Sequence, residues 1–254
     1  EEHKDVGVVI PVNVYGVPPA MAQICALSHA ANAVVLYDNA HGFGTEDDGK
    51  RFDPHCDAQV FSLHATKNLP AVEGGAILTR DPAVMTELRR LCNHGLASGA
   101  LLNSKPGFNF KMSELHAAVG RHSLRRLPGT IERRRIYTER LRAAAANTGA
   151  FTNQGDRQGA VSNRQNFVVT SRPGPRSIDE ISAHLGENGV GSRRYFWPPL
   201  NQLEIYRGRF ELPVTDRVCE RLLCLPLWSE MSERTLSTIE AGLAATGRWL
   251  LSEQ

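Results

Sequence analysis

The stretch Phe61-Ser-Leu-His-Ala-Thr-Lys-Asn-Leu-Pro-Ala-Val-Glu-Gly-Gly-Ala-Ile-Leu-Thr79 decides the fold of this chain. The apolar run 58–63 predicts a buried strand, and a polar cluster that contains Lys67 follows it. Glycines then turn the backbone before a second predicted strand, 76–79. A lysine at the end of a buried strand has a plain chemical use, because desolvation lowers its pKa. The neutral amine can then attack a carbonyl and form a Schiff base.

The sequence before this stretch predicts a parallel sheet. A run of β-branched residues, 6–14, indicates a buried strand, two prolines then open a predicted helix at 20–31, and 33–37 forms the next strand. A strand, a helix and a strand in this order make a βαβ unit. Asp38 follows directly, at the carboxyl end of its strand, which is the edge where open α/β sheets bind ligands. Taken alone, Asp38 or Lys67 would be interpreted as an ordinary loop residue.

The remaining sequence predicts a second α/β unit. Strand 167–170 and helices 177–188 and 234–251 follow a turn-rich connection. Before it, helix 83–92 precedes the long segment Asn93–Phe110, and helices 113–127 and 131–146 are separated by Pro128-Gly129, which we expect to interrupt them. We therefore predict two domains, residues 1–130 and 131–254.

Composition excludes several classes of function. A net charge of +2 on 254 residues gives no case for nucleic acid, and no apolar run is long enough for a membrane span. The five cysteines are odd in number and lack CxxC spacing, which argues against a disulfide framework and for a reducing compartment. We expect a cytoplasmic protein without a metal site.

Three motifs resemble signatures of the DegT/StrS sugar aminotransferases. They are Ser62-Leu-His-Ala-Thr-Lys67 with Glu73-Gly-Gly-Ala76, Asp38-Asn-Ala-His-Gly42, and Gly107-Phe-Asn-Phe-Lys-Met-Ser-Glu-Leu-His-Ala-Ala-Val-Gly120. The resemblance implies an α/β fold of the pyridoxal phosphate (PLP) fold type I class, with a mostly parallel sheet in a large domain and a smaller C-terminal α/β domain. Residues 1–130 would be the remainder of the large PLP-binding domain.

The resemblance also implies roles for individual residues. Lys67 would be the catalytic residue, forming the Schiff base with PLP and then moving a proton between substrate carbon and cofactor. Asp38 would pair with the protonated ring nitrogen, His41 would reach the phenolic oxygen, and Ser62 would bind the phosphate. His64 matches an active-site histidine without a defined role, and each of these residues has a plain structural alternative.

Two further segments imply partners. The family asparagine that matches Asn109 crosses a dimer interface to the partner's PLP phosphate, which would make a homodimer with shared active sites. The alternative for Asn109 is an ordinary asparagine in a turn. Tyr195, Phe196 and Trp197 resemble a segment that lies near the nucleotide-sugar, although Asn201 and Trp228 stand where histidines are common in the family. A hydrophobic connection is the alternative for the aromatic segment.

The implied function is transfer of an amino group from an amino acid, with glutamate expected, to a nucleotide-linked keto-sugar. Among family members, the motifs favour 4-aminotransferases of dTDP-4-keto-6-deoxy sugars. A cyclitol or another ketone is the alternative substrate. One alternative is a PLP sugar dehydratase, in which histidine replaces the lysine, so that Lys67 argues against it. Another is a non-catalytic regulatory or binding protein that retains the fold.

Family members also carry a leading segment with a phosphate-binding Gly-Thr-Ala turn and an aromatic residue that stacks on PLP. Neither feature stands in these 254 residues. The sequence is either part of a longer protein or a shortened, inactive form. We expect the first, because Lys67, Asp38 and Ser62 are intact.

Overall fold

The computed structural model describes residues 6–96, 106–208 and 210–252. The chain divides into two compact units, Glu1–Gly129 with Arg157–Asn163 and Thr130–Asp156 with Arg164–Gln254. The elements in chain order are β1 (Val8–Val9), α1 (Met21–Ala30), β2 (Val34–Asp38), β3 (Glu46–Asp47), β4 (Ala58–Ser62), β5 (Gly75–Thr79), α2 (Pro82–Cys92), α3 (Glu114–Asn147), β6 (Phe151–Asn153), β7 (Ala160–Val161), β8 (Phe167–Ser171), α4 (Ile178–Glu187), α5 (Pro213–Cys219), β9 (Leu222–Leu225) and α6 (Glu233–Leu251), with a 3₁₀ turn at Leu200–Gln202.

The main sheet of the first unit has the order β1-β2-β4-β5. β1 and β2 are parallel, β2 and β4 are parallel, and only β5 pairs antiparallel with its neighbour β4. Helix α1 connects the first two strands, and its Met21 and Cys25 pack on Val35 and Tyr37 of β2. The predicted βαβ unit and the mostly parallel sheet are therefore confirmed.

The first predicted strand is wrong in length and burial. Only Val8–Val9 forms a ladder with β2, and the continuation toward residue 14 makes single bridges, including one between Val12 and Asp38. Pro11 lacks the N–H that a continuous ladder needs, although its carbonyl accepts from Asp38 N at 2.9 Å. Apolar side chains along this segment are also exposed, with Ile10 at 57%.

The second unit has a separate core. Its antiparallel sheet has the order β6-β8-β9, and helices α4 and α6 pack with it around a fully buried cluster that includes Leu185, Leu223 and Leu243. Ser177 caps α4 through a reciprocal capping box with Glu180. The predicted second α/β arrangement is present, although residues 157–163 leave it and join the first unit, where β7 pairs with β3.

The predicted interruption at Pro128-Gly129 is also wrong. Helix α3 runs from Glu114 to Asn147 with Pro128 inside it. Proline removes one intrahelical hydrogen bond and costs about 3 kcal/mol in a helix interior. The helix continues because residues on both sides are anchored by packing, including Leu127 at 7% exposure and fully buried Leu141.

Four further features of the chain were predicted from the sequence: helix α2, the long segment after it, the state of the cysteines and the lack of a membrane span. Helix α2 begins at Pro82 after the cap Asp81, as predicted. The long segment Asn93–Phe110 lies partly outside the described residues; its ends pair through His94 N, which donates to the Phe108 carbonyl at 2.8 Å. All five cysteines are free thiols. No helix in the described ranges combines the length and apolar character needed to cross a bilayer.

Candidate active site

The ends of β2 and β4 bring the predicted cofactor residues to one edge of the sheet. Asp38, the last residue of β2, stands opposite Val60 in the register, and β4 runs two residues further to Ser62. Because both strands are parallel, the loops that follow them leave from the same carboxyl edge. The first loop contains His41, and the second contains Lys67.

The loop after β2 is tied down by its own polar groups. The Asp38 carboxylate accepts from the backbone N–H of Ala40 at 3.1 Å, which folds the chain back over the strand end. His41 is half-buried, and its Nδ1 accepts from the backbone N–H of Tyr15 at 3.2 Å. Thr45 closes the loop by donating its hydroxyl to the Gly42 carbonyl at 2.8 Å. The positions of Asp38 and His41 are therefore fixed by backbone contacts.

Buried amides lie beneath this loop. Asn13 is 1% exposed and donates to Asn39 Oδ1 at 2.9 Å and to the Tyr37 hydroxyl at 3.2 Å. A Cβ on Gly42 would lie 1.7 Å from Asn39 Oδ1, so only glycine fits there. These contacts support the His41 loop from below.

The loop after β4 carries Lys67 at a short turn. The backbone N–H of Lys67 donates to the His64 carbonyl at 2.9 Å, and Ser62 Oγ accepts from the backbone N–H of His64 at 3.3 Å. Leu63 then anchors the return of the chain, since its carbonyl accepts from Ala71 N at 2.7 Å. Lys67 itself is half-buried.

Electrostatics places Lys67, His41 and Asp38 in one neighbourhood. Burial lowers the pKa of Lys67, and the Asp38 carboxylate acts in the opposite direction. Burial likewise lowers the pKa of His41 to about 4, with the positive charge of Lys67 adding to the effect and Asp38 opposing it. The Asp38 carboxylate therefore acts on both basic groups, and the charge of Lys67 acts on His41. The arrangement favours a neutral imidazole and a readily deprotonated amine beside a carboxylate.

His64 has a different environment from His41. Its Nδ1 contacts Thr66 Oγ1 at 2.8 Å and accepts from the backbone N–H of Thr66 at 3.2 Å. Its Nε2 lies 3.5 Å from Glu73 Oε1, with both side chains substantially exposed. The imidazole therefore links the two ends of the Lys67 loop.

The other predicted residues lie elsewhere. Asn109 is exposed, and its Oδ1 accepts from Lys111 Nζ at 2.7 Å, while Lys111 also contacts His94 Nε2 at 3.0 Å. These contacts do not connect Asn109 with Lys67. The role predicted for Asn109 concerns a second subunit and stays a prediction.

The aromatic segment belongs to the second unit, where arginines contact Tyr195 and Trp197. The Arg194 guanidinium lies 3.5 Å from the centroid of the Trp197 ring, and Arg193 Nη1 donates to the Tyr195 hydroxyl at 2.9 Å. Phe196 is 60% exposed. The segment thus presents aromatic faces together with positive charge, a combination suited to a flat anionic ligand.

Asn163, which lies outside the predicted site motifs, is fully buried in the first unit. Its Nδ2 donates to the carbonyls of His41 at 2.7 Å and Phe43 at 3.0 Å, and its own carbonyl accepts from Asn68 Nδ2 at 2.8 Å. The polar run 162–166 before strand β8 is unusual in the sequence, but it does not indicate which residues Asn163 contacts.

The buried thiols do not offer a second catalytic chemistry. Burial raises the pKa of Cys25 to about 11 and the pKa values of Cys56 and Cys224 to about 12. These three groups are therefore neutral at pH 7 and poor nucleophiles.

Comparison with solved structures defines the class of fold. The aminotransferase TlmJ from Streptoalloteichus hindustanus superposes with a TM-score of 0.89 over 97% of this chain and 67% of its own, at 24% identity, which shows the fold alone. DesI, solved in the presence of its TDP-sugar product, is 31% identical, with a TM-score of 0.86 over 98% of this chain and 65% of its own. The fold is that of the PLP-dependent sugar aminotransferases, and the predicted α/β fold type I class is confirmed.

The family follows from the sequence itself. A profile of the DegT/DnrJ/EryC1/StrS aminotransferase family matches residues 3–244, so the chain belongs to that family. The predicted resemblance is thereby confirmed, and PLP is the cofactor of the family. The dTDP-4-amino-4,6-dideoxy-D-glucose transaminase of Escherichia coli is 30% identical over 91% of this chain. The chain spans 64% of the length of that relative.

Proposed function

We propose that the protein containing this chain is a PLP-dependent aminotransferase that transfers an amino group from an amino acid to a nucleotide-linked keto-sugar. The observation that carries the proposal is the shared neighbourhood of Lys67, Asp38 and His41 at the carboxyl edge of a parallel sheet. Family membership supports the same reaction class. The two compact units correspond, in this proposal, to the remainder of the large PLP-binding domain and the C-terminal small domain.

The side chains present fit the cofactor. PLP has an aldehyde, a basic ring nitrogen, a phenolic oxygen and a phosphate. The chain offers a group for each: the half-buried amine of Lys67 for the aldehyde and the Asp38 carboxylate for the ring nitrogen. The His41 imidazole would serve the phenolic oxygen, and the Ser62 hydroxyl the phosphate. When bound, PLP supplies the electron sink for amino-group transfer. The matching donor set makes this chain suited to hold it.

Lys67 is the residue proposed to hold the cofactor covalently and to move the proton. Its lowered pKa increases the fraction of neutral amine, which is the form that attacks a carbonyl. As a free amine, Lys67 Nζ would accept and return a proton at the reacting carbon. Positioned proton transfer of this kind contributes roughly 10²–10⁴-fold in rate.

The neighbouring groups set the charge of the site. Asp38 supplies the anion that favours a protonated ring nitrogen. His41 accepts from the backbone at Nδ1, so its neutral ring carries the proton on Nε2, a donor for a phenolate oxygen. Ser62 supplies a hydroxyl for phosphate, and His64 supports the Lys67 loop from its position between Thr66 and Glu73.

For the substrate, we propose a dTDP-linked 4-keto-6-deoxy sugar, with glutamate as the amino donor. The name of the Escherichia coli relative and the TDP-sugar of DesI support this class. Tyr195, Phe196 and Trp197, with their arginines, offer stacking faces and positive charge for a nucleotide. Trp197→Ala is expected to raise KM for the nucleotide-sugar and to leave KM for glutamate unchanged; equal effects on both would contradict the assignment.

The dimer with shared active sites is part of the same proposal. Asn109 is exposed next to stacked Phe108 and Phe110, whose rings lie 4.7 Å apart and are both more than half exposed. An exposed aromatic pair is suited to a protein interface. Mixing Asn109→Ala with Lys67→Arg protein should restore partial activity through hybrid dimers; no recovery would argue against sharing.

The alternatives predict different results. A PLP sugar dehydratase has histidine where this chain has Lys67, and a non-catalytic protein would not attach PLP. The length of the protein used is first checked by its intact mass. An absorbance scan with added PLP then shows whether a Schiff base forms, and borohydride reduction with peptide mapping identifies the lysine that carries it. A pyridoxyl group on Lys67, retained in Lys50→Arg and lost in Lys67→Arg, is expected. No absorbance band, or a label spread over surface lysines, would overturn the proposed function.

A further inference from the structure

Asn163 connects the two loops of the candidate site from beneath. It lies in the segment Arg157–Asn163, which belongs to the first unit although the residues on either side of it belong to the second. Its side chain donates two hydrogen bonds to the His41 loop, and its carbonyl receives one from Asn68, the residue next to Lys67. One fully buried residue thus contacts the loops that follow both β2 and β4.

The segment that carries Asn163 is held at several points. β7 pairs with β3, and Arg157 bonds the Asp47 carboxylate. In the second unit, the residues that flank the segment, Asp156 and Arg164, form a two-pronged ion pair in which Arg164 Nη2 donates to Asp156 Oδ2 at 2.7 Å. These contacts hold the segment Arg157–Asn163 along its length and join the residues that flank it. They therefore fix the position of Asn163.

In the hydrogen bonds to the His41 loop, the Asn163 side chain is the donor and the backbone carbonyls are the acceptors. Two backbone carbonyls, of His41 and Phe43, converge on the Asn163 amide, whose NH₂ group donates one proton to each. Neither carbonyl can be satisfied by an apolar residue at this position, and a buried unsatisfied carbonyl costs about 1–3 kcal/mol. Loss of the amide would favour opening of the His41 loop to water.

We propose that Asn163 is a positioning residue for the cofactor site, holding the His41 loop and the Lys67 loop together and so limiting the access of water to the half-buried Lys67 amine. The inference rests on the proposed function and adds a residue outside the three sequence motifs. Asn163 acts through its neighbours and not on the substrate.

Opening of the loops would alter the titration of Lys67. The groups that act on this amine in the structure are Asp38, which raises its pKa, and the burial that lowers it, while His41 feels the charge of Lys67 in return. Water entering between the loops would weaken the effect of burial. The Lys67 titration midpoint would then move upward, toward that of an ordinary lysine.

The test uses the protein without added PLP. Acetic anhydride labelling at a series of pH values, with mass spectrometry of the Lys67 peptide, gives the midpoint of the Lys67 titration. In Asn163→Ala the midpoint is expected to rise by about one pH unit, which lowers the neutral amine fraction at pH 8 by about tenfold. Thr246→Ala, which removes a buried hydroxyl that contacts His184 in the second unit, is the matched control and should leave the midpoint unchanged.

A second variant covers the case in which Asn163→Ala does not fold. Asn68→Ala removes the other link and leaves Asn163 in place, and a smaller rise in the same direction is expected. An unchanged midpoint in the folded variants would overturn the positioning role. The outcome is separate from that of PLP attachment: cofactor on Lys67 with an unchanged midpoint would leave the function standing and remove Asn163 from it.

Discussion

The backbone N–H of Tyr15 donates to Nδ1 of His41 across 3.2 Å. A ring nitrogen that accepts a hydrogen bond carries no proton, so the neutral ring holds its proton on Nε2. The contact joins the segment after β1 to the loop after β2, two parts of the chain that are 26 residues apart. It defines the tautomer of an imidazole placed beside Lys67 and Asp38.

The first prediction concerns the pH dependence of stability. The folded-state pKa of His41 is lowered from 6.5 to about 4, mainly by burial, so the unfolded chain binds more protons between these values. The free energy of unfolding should therefore rise with pH across this window, and the contribution of His41 is lost as pH falls from about 6.5 to about 4. Urea unfolding of wild type and His41→Gln between pH 4 and 7 should show a flatter dependence in the variant; parallel curves would contradict the assignment.

The second prediction concerns the charge at Asp38. Asn in its place removes the carboxylate that raises the pKa of Lys67, so the titration midpoint of Lys67 should move further down. Loss of the anion opposite the ring nitrogen should also lower kcat by about 10²–10³-fold, the range for removing one preorganised electrostatic group.

Acylation profiles of Lys67 and steady-state kinetics measure the two effects separately. Asp81→Asn is the matched control: it removes a surface carboxylate, asparagine caps a helix about as well as aspartate, and the Lys67 midpoint should not move. An upward shift of the Lys67 midpoint in Asp38→Asn would refute the electrostatic relationship.

Local sequence patterns were sufficient to predict the strands and turns that carry the candidate site residues. Apolar runs placed Asp38 and Ser62 near the ends of strands, and the βαβ unit predicts the parallel pairing of β1 with β2. Glycines after Lys67 predicted the return into β5. These features depend on neighbours within a few residues, so a single sequence contains them.

Contacts between residues far apart in the chain could not be predicted from the sequence. Asn163 contacts His41 from 122 residues away, and no pattern near Asn163 names that partner. Pro128 follows the local rule for a helix end, yet packing on both sides of it keeps α3 continuous. The predicted strand 6–14 is too long, because a run of β-branched residues indicates extended backbone without showing that Pro11 lacks the N–H for a continuous ladder.

The third prediction concerns Gly42. A Cβ there would lie 1.7 Å from Asn39 Oδ1 and 2.4 Å from Asn13 Nδ2, inside the buried amide network. Gly42→Ala should destabilise the first unit by about 1–3 kcal/mol, as overpacked sites do. Gly186→Ala is the control: nothing lies within 4 Å of its added Cβ in α4, and helix propensity should make it neutral or stabilising. Chemical denaturation measures both, and equal stability of the two variants would disprove the close packing.

The fourth prediction concerns Pro128 within α3. Pro128 is exposed and lies inside a helix of 34 residues, where it removes one backbone hydrogen bond. Pro128→Ala restores that bond and should stabilise the protein by about 1–3 kcal/mol, which is below the full propensity difference because alanine also loosens the unfolded chain. At this chain length each kcal/mol corresponds to about 2–4 °C in Tm.

The matched control for this change is Pro82→Ala. Pro82 stands at the first turn of α2, where a missing N–H costs nothing and the fixed φ suits the helix. Alanine there should give no gain in Tm. Calorimetry of both variants decides the matter, since a fall in Tm for Pro128→Ala would mean that the proline ring itself contributes packing at this position and that the continuous helix depends on it.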